Sequence, residues 1–268
     1  MSTAAAASRS WRPPPFIANP WLRRGMWLGV LAYLALAIGS LEINWVRVAE
    51  GLERGWRFIS AFARPNFTGR WGEISAGILE SLAMTVTATA IGVALAVPVG
   101  LGAARNLAPL PVYLFCRGLI ALSRTFQEVI IAILFVKMFG FGPLAGMVTL
   151  VVGTIGFNAK LLAEDIESAD PAAMEAIRAT GGSWGQLITY GVQPQVMPRF
   201  TGLAAYRLDI NFRESSVIGI VGAGGIGSTL NTAFDRYEFE TAAAILLVII
   251  VIVMMAEYSS GHIRRRFQ

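Results

Sequence analysis

The chain has 268 residues, of which 55% are hydrophobic and 15% charged, with a mean hydropathy of +0.58. Charged residues make up roughly a quarter of a soluble domain, so this balance fits a protein built into a membrane. The formal net charge of +5 comes almost wholly from arginine, Lys137 and Lys160 being the only lysines. In a membrane protein such charge anchors loops to anionic lipid, which makes membrane lipid a partner and leaves nucleic acid without a case. A single cysteine, Cys116, excludes an intrachain disulfide, and a single histidine, His262, leaves no zinc constellation.

In chain order, residues 1–24 are rich in Ala, Arg and Pro and read as a disordered tail. Residues 25–78 hold a first span (Met26 to Leu41) and a polar segment. That span is just long enough to cross, and Arg23 and Arg24 before it place the N-terminus in the cytoplasm. The segment mixes Arg47, Arg54, Arg57, Arg64 and Arg70 with Glu42, Glu50, Glu53 and Glu73, and interleaves Trp45, Trp56 and Trp71. Such a mixture fits the outer interface, either as a docking surface for an external binding protein or as a plain interfacial helix.

Residues 79–260 form the expected transmembrane domain, and residues 261–268 a basic cytoplasmic tail. Leu79 to Ala104 makes a second span, with small residues that let helices approach closely. Val112 to Phe139 makes a third, interrupted by Arg117, Arg124 and Glu128. Gly140 to Pro143 turns, and Leu144 to Leu162 returns. Arg199 to Val221 crosses outward and Thr241 to Met255 crosses back. The expectation is an all-α integral membrane protein of about six spans with both termini cytoplasmic.

Between the fourth and fifth spans lies a stretch, Glu164 to Pro198, that no bilayer would hold. Asp170 reads as an N-cap and Pro171 as the first helical residue. Gly181 supplies a left-handed stop, and Gly182 completes the corner. Ser183 opens a second helix with Gln186 as its capping-box partner. That helix carries Trp184, Leu187, Ile188 and Val192, and is expected to end before Pro194. Two short helices joined at a glycine corner form a compact body that a partner could grip.

Glu175-Ala176, Gly181 and Val192-Gln193-Pro194 resemble the "EAA" signature of inner-membrane permeases of bacterial ABC importers, with Ile177 in place of the second Ala and Gln193 in place of Leu. The resemblance implies that Asp170, Glu175, Ala176, Gly181, Gly182, Ser183 and Pro194 belong to a coupling-helix pair seated on the ATP-hydrolysing subunit.

The stretch RLDINFRESSVIGIVGAGGIG (residues 207–227) places charges inside a span, where they are expensive and point to function. Asp209 and Arg213, four apart, can pair on one helix face. Arg213 with Ser215 and Ser216 could instead offer donors to a phosphonate oxyanion. Gly222-x-Gly224-x-x-Gly227 matches the dinucleotide fingerprint in letters, yet it ends a membrane span with no βαβ unit around it, so that reading fails. Gly222, Gly224, Gly225 and Gly227 fit either irregular backbone lining an aqueous cavity or a flexible outer loop.

Arg213-Glu214-Ser215-Ser216 together with this glycine run and the Phe139-Gly-Phe-Gly-Pro143 turn is similar to permeases of phosphonate importers, a branch that includes phosphite and hypophosphite systems. Methionine and osmolyte branches share the glycine loop. The expected substrate path is Asp209, Arg213, Glu214, Ser215 and Ser216 with Gly222, Gly224, Gly225 and Gly227. The resemblance also implies an ABC ATPase dimer holding ATP and Mg, a second permease copy or paralogue, and a periplasmic substrate-binding protein. This chain itself would be no enzyme and bind no cofactor. The rival is a proton-coupled secondary transporter using Glu128, Asp209 and Glu214, which leaves the capped hairpin unexplained.

Overall fold

The structure, a computed structural model, describes residues 17, 19–41 and 44–267; the tail expected over residues 1–16 and 18 lies outside the described residues. The chain divides into two units, residues 1–56 and 57–268.

In the first unit, α1 (Pro20–Gly39) is capped by Asn19, whose side chain accepts the Trp21 N–H at 3.0 Å, with Pro20 in the first turn. That cap begins the helix earlier than composition implied, so residues 20–24 belong to the span and not to the tail. None of the α1 residues is buried, as expected of a helix facing lipid. The helix α2 (Trp45–Ala61) begins in this unit with Trp45, Val48, Leu52 and Trp56 along one exposed stripe, and a Glu50–Arg54 pair at 3.2 Å elsewhere on its surface. The stripe has helical spacing, which suits a helix lying flat at an interface.

In the second unit the longest helix, α3 (Trp71–Gly102), runs along α6 (Pro143–Ser168). Close contact is possible because small residues face each other. A Cβ at Gly92 would collide with Thr154, and one at Gly100 with Leu162 and the Ala159 carbonyl. Between them in sequence, α4 (Leu110–Thr125) and α5 (Glu128–Phe139) make one broken span, bent by 95° at Phe126 and Gln127. The third expected span is therefore two half-helices. The break falls within the run Ser123 to Glu128, whose two ends are half-buried while Arg124 to Gln127 are exposed.

The fifth span starts earlier than expected. After α7 (Pro171–Ala179), a short α8 (Trp184–Gln186) passes through a π turn (Leu187–Val192) into α9 (Gln193–Ile220) without a stop at Pro194. The wider turn accommodates a proline that has no N–H to give: Gln193 donates five residues back, to Ile188, and Pro194 falls in the first turn of α9. The glycine run is also not a loose loop. Gly225–Asp235 form α10, folded back on α9 so closely that a Cβ at Gly227 would strike the Ser216 carbonyl. The last helix, α11 (Phe239–Phe267), completes the unit; the basic side chains beyond Gly261 lie outside the described residues.

Among the described residues, five helical stretches are long and apolar enough to cross a membrane, or six if the bent α4–α5 pair is one span. The core runs the length of the unit. Leu162, Ile166, Met174, Leu187, Val192 and Phe200 pack at the hairpin end. Met84, Ala88, Ala132, Leu150 and Ile218 pack in the middle. Ile74, Ile226, Leu230 and Ile245 pack at the far end.

Candidate coupling hairpin and interior charge network

The hairpin is held by local chemistry first. Asp170 accepts the Ala172 N–H at 2.9 Å. Ser183 and Gln186 make both halves of a capping box, with the Ser183 N–H donating to Gln186 Oε1 at 2.7 Å. Each such cap stabilises a helix by about 1 kcal/mol. At the corner Gly181 has φ +73°, and the N–H groups of Gly181 and Gly182 close back on the carbonyls of Arg178 and Ile177 at 3.0 and 3.1 Å. This is the paired glycine stop of a helix end, satisfying two carbonyls that would otherwise be orphaned.

Burial then divides the hairpin into two sides. Met174, Leu187 and Val192 pack into the core of the bundle, while Glu175, Ala176, Arg178, Trp184 and Tyr190 are exposed. Trp184 therefore belongs to the outer side of the hairpin.

Long-range bonds that no local pattern signals fix this body to the spans. The Gln195 side chain grips the Asp170 backbone from both sides. Its Oε1 accepts the Asp170 N–H at 2.8 Å, while its Nε2 donates to the Asp170 carbonyl at 3.4 Å and to Gly191 at 2.7 Å. One helical turn on, Arg199 pairs at 2.7 Å with the buried carboxylate of Asp165, at the end of α6. On the neighbouring turn, Glu167 accepts from the Arg105 N–H at 2.8 Å and from Arg117 at 2.9 Å, and Asn106 donates to the Ile166 carbonyl.

Higher in the bundle the charges of α9 sort onto separate faces. Arg207, with a side chain only 4% exposed, donates to Glu128 at 2.6 Å and Glu214 at 3.2 Å. It also reaches Thr154 at 3.3 Å and lies over the Phe157 ring at 5.4 Å. Asn211, on the next turn, donates to Thr89 at 2.8 Å and Thr154 at 2.9 Å. Residues 207, 211 and 214 are spaced to share one face of a helix. About 20 Å of helix separates Arg207 from the start of α9, which puts it at the middle of that helix. The network sits where α4 and α5 break, and Ser123, Arg124, Gln127, Glu128, Arg207 and Glu214 line a cavity of about 430 Å³ there. Gly153 makes room for it: a Cβ there would meet Glu128 and would lie 2.7 Å from Arg207.

The expected path residues do not converge. Arg213 pairs with Asp209 at 2.9 Å as its spacing implied, but its side chain is half exposed and Asp209 is buried. Glu214 turns away from Arg213 to Arg207. Ser215 donates to the Phe212 carbonyl at 2.7 Å, and Ser216 is buried. The three carboxylates weighed for a proton-coupled mechanism, Glu128, Asp209 and Glu214, are each in an ion pair.

Gly222, Gly224 and Gly225 all have positive φ and form the turn between α9 and α10. This turn meets the other glycine-rich turn: the Gly142 N–H donates to the Gly222 carbonyl at 3.0 Å. A cavity of about 570 Å³ lies beside them, with Glu73, Glu80 and Thr229 in its wall. The Ile226 N–H at the start of α10 donates to Ser81 at 2.9 Å.

Comparison with known proteins gives this arrangement its family. The phosphate-import permease protein PhnE of Mycolicibacterium smegmatis is 40% identical over 239 residues, 88% of this chain; the chain spans 44% of that relative's length. The phosphite transport system permease protein PtxC of Stutzerimonas stutzeri is 40% identical over 205 residues, covering 76% of this chain and 74% of PtxC. Among solved structures, a chain of the inward-facing MetNI methionine ABC transporter superposes with a TM-score of 0.63 at 23% identity, covering 73% of this chain and 96% of that one. That likeness concerns the fold. Residues 96–268 match the family described as binding-protein-dependent transport system inner membrane components, and the chain belongs to that family as a multi-pass protein of the inner membrane.

Proposed function

We propose that this permease moves phosphonate or a related phosphorus oxyanion into the cytoplasm, driven by an ATPase dimer that grips the α7–α8 hairpin. The observation that carries the coupling half is the hairpin itself. It is capped at both helix starts, clamped to α9 by Gln195, and exposes Glu175, Arg178, Trp184 and Tyr190 together. A rigid body with an exposed side is suited to transmit force from a partner into the spans. ATP and Mg belong to that partner in this reading, and a second permease copy or paralogue completes the path. A binding protein delivers substrate at the end opposite the hairpin, and both termini are cytoplasmic.

The substrate class rests on the relatives, whose names specify phosphate and phosphite. A methionine permease of Vibrio cholerae is also similar, at 27% identity. Along the path, Arg207 replaces Arg213 as the charge at the centre of the bundle, because it alone of the two is enclosed and faces the break between α4 and α5.

The deciding experiment is a mild-detergent pull-down of the chain from native membranes with an ATPase assay on the eluate. An ATP-hydrolysing subunit should co-purify and be weakened by Glu175→Ala, and methylphosphonate-loaded binding protein should stimulate it. A chain that purifies alone and moves substrate under a proton gradient overturns this reading.

A further inference from the structure

The half-span α4 is placed by little apolar packing. Along the whole helix only Cys116 and Ile120 are buried, while Leu114, Phe115 and Leu122 stand exposed. With so small a buried face, polar bonds decide where the rod lies against its neighbours.

Those bonds sit at its two ends, and both run to α6. At the break, Ser123 donates to the Val152 carbonyl at 2.7 Å, and a Cβ on Gly156 would strike the same hydroxyl. At the hairpin end, Arg117 donates through Nη2 to Glu167 at 2.9 Å and through Nε to the Ala103 carbonyl at 2.9 Å. Its guanidinium also lies 5.4 Å from the centre of the Tyr113 ring, one turn back on α4.

Glu167 turns this end into a knot. The Oε1 that receives Arg117 also accepts the Arg105 N–H at 2.8 Å, and Asn106 donates to the adjacent Ile166 carbonyl at 3.0 Å. The ends of α3 and α6 and the first half of α4 therefore meet just before Asp170, where the hairpin begins. One guanidinium serving a carboxylate and a carbonyl at once uses a planar fork that lysine lacks. With 29% of the Arg117 side chain and 31% of the Glu167 side chain exposed, solvent screens the pair, so it contributes placement more than stability.

We infer that Arg117 is a positioning residue: through Glu167 it makes α4 follow the foot of the hairpin. Arg124, about 10 Å further along the helix, lines the cavity of about 430 Å³ together with Ser123. Movement of the hairpin then shifts the α4 wall of that cavity, whereas Arg207 and Glu214 stand on α9. This use of the knot rests on the coupling reading above; the placement of α4 by Arg117 does not.

The test reads α4 with one thiol at a time, in a Cys116→Ala background that removes the native cysteine. In the first arm the chain, in nanodiscs without nucleotide, carries Ile120→Cys and is labelled with a charged maleimide. A thiol at this buried position reacts only when α4 lifts away. Arg117→Gln and Glu167→Ala should each raise the labelling rate by about fivefold, the scale of one partly screened ion pair. Arg117→Lys, which keeps the charge pair and loses the second bond, should fall between. In the second arm Arg124→Cys is labelled in the complex with the co-purified ATPase, with and without ATP and vanadate. Nucleotide should change the rate several-fold in the parent and leave it unchanged in Arg117→Gln, with the ATPase still bound. A brace that served only stability would keep that response.

First-arm rates equal to the parent in every variant refute the placement. A second-arm rate that ignores nucleotide in the parent, or still responds in Arg117→Gln, refutes the link to the hairpin. If no ATPase co-purifies with the parent, the coupling reading falls, and the first arm alone still decides what places α4.

Discussion

Replacing Gly153 by alanine tests whether the Arg207 network holds the bundle together. In mid-helix this change ordinarily stabilises by about 0.5–1 kcal/mol. Here the new methyl group would meet Glu128 and lie 2.7 Å from Arg207, the two partners of the 2.6 Å ion pair. Both contacts are ends of long side chains that elsewhere could swing aside. Arg207 cannot, because Glu214, Thr154 and the Phe157 ring hold it on its other sides. Disrupting a buried pair costs about 3–5 kcal/mol when one charge loses its partner. Even the lower figure, offset by the helix gain, leaves a net loss of about 2 kcal/mol, or a melting point lower by about 4–8 °C for a domain of this size. Gly118→Ala is the control, since a Cβ there meets nothing within 4 Å. The assay is thermal unfolding followed by a thiol-reactive dye, for which the single buried cysteine, Cys116, is a built-in reporter. If the two variants melt together at or above the wild-type temperature, the network is not the constraint argued here.

Gln195→Ala should leave the complex assembled but uncouple it, raising ATP hydrolysed per substrate moved several-fold; Gln195→Glu, which keeps the acceptor for the Asp170 N–H, should lie between the two. An unchanged ratio in both variants refutes the clamp. Arg207→Gln should reduce uptake far more than Arg213→Gln, because one side chain is enclosed and the other half exposed; equal effects in matched membrane preparations count against the assignment. Gly181→Val should abolish uptake while sparing insertion, as a β-branched residue resists φ of +73°, and normal uptake would remove the corner from the mechanism. Pro198→Ala restores a helical N–H inside α9 and should raise thermal stability, by up to about 3 kcal/mol, while slowing transport; faster transport by the stiffer helix would show that the proline is only tolerated.

What could be read from the sequence was what is settled within a few residues. Asp170, Gly181 and the Ser183–Gln186 box appear where their local chemistry places them, as does the Asp209–Arg213 pair one turn apart. What could not be read depends on distant partners. Arg207 stood at the edge of the charged stretch with no neighbour to single it out, since Glu128 lies 79 residues away and Glu214 two helical turns on. The available signal was Glu128 itself, an acid within the polar run that breaks the third span. The passage through Pro194 was hidden for another reason: a proline normally closes a helix, and only the π turn before it reveals that the chain continues.

That continuity is what joins the two sites. Gln195 and Arg199 stand at the foot of α9, and Arg207 and Glu214 stand about 12 to 30 Å above them on the same helix. Pro198 lies inside that helix, between the hairpin clamp and the charges, and the carbonyl four residues before it has no N–H to accept. A bend there would absorb movement of the hairpin before it reached Arg207, were the hairpin held by Gln195 alone. Arg199 lies beyond the proline and is tied to Asp165 on α6, whose middle carries Gly153 and Thr154 beside Arg207. If a partner moves the hairpin as proposed, force has two routes to the interior charges, along α9 through the turn weakened by Pro198 and along α6. The second route bypasses the proline, so α9 can bend without disconnecting the hairpin from the centre of the bundle.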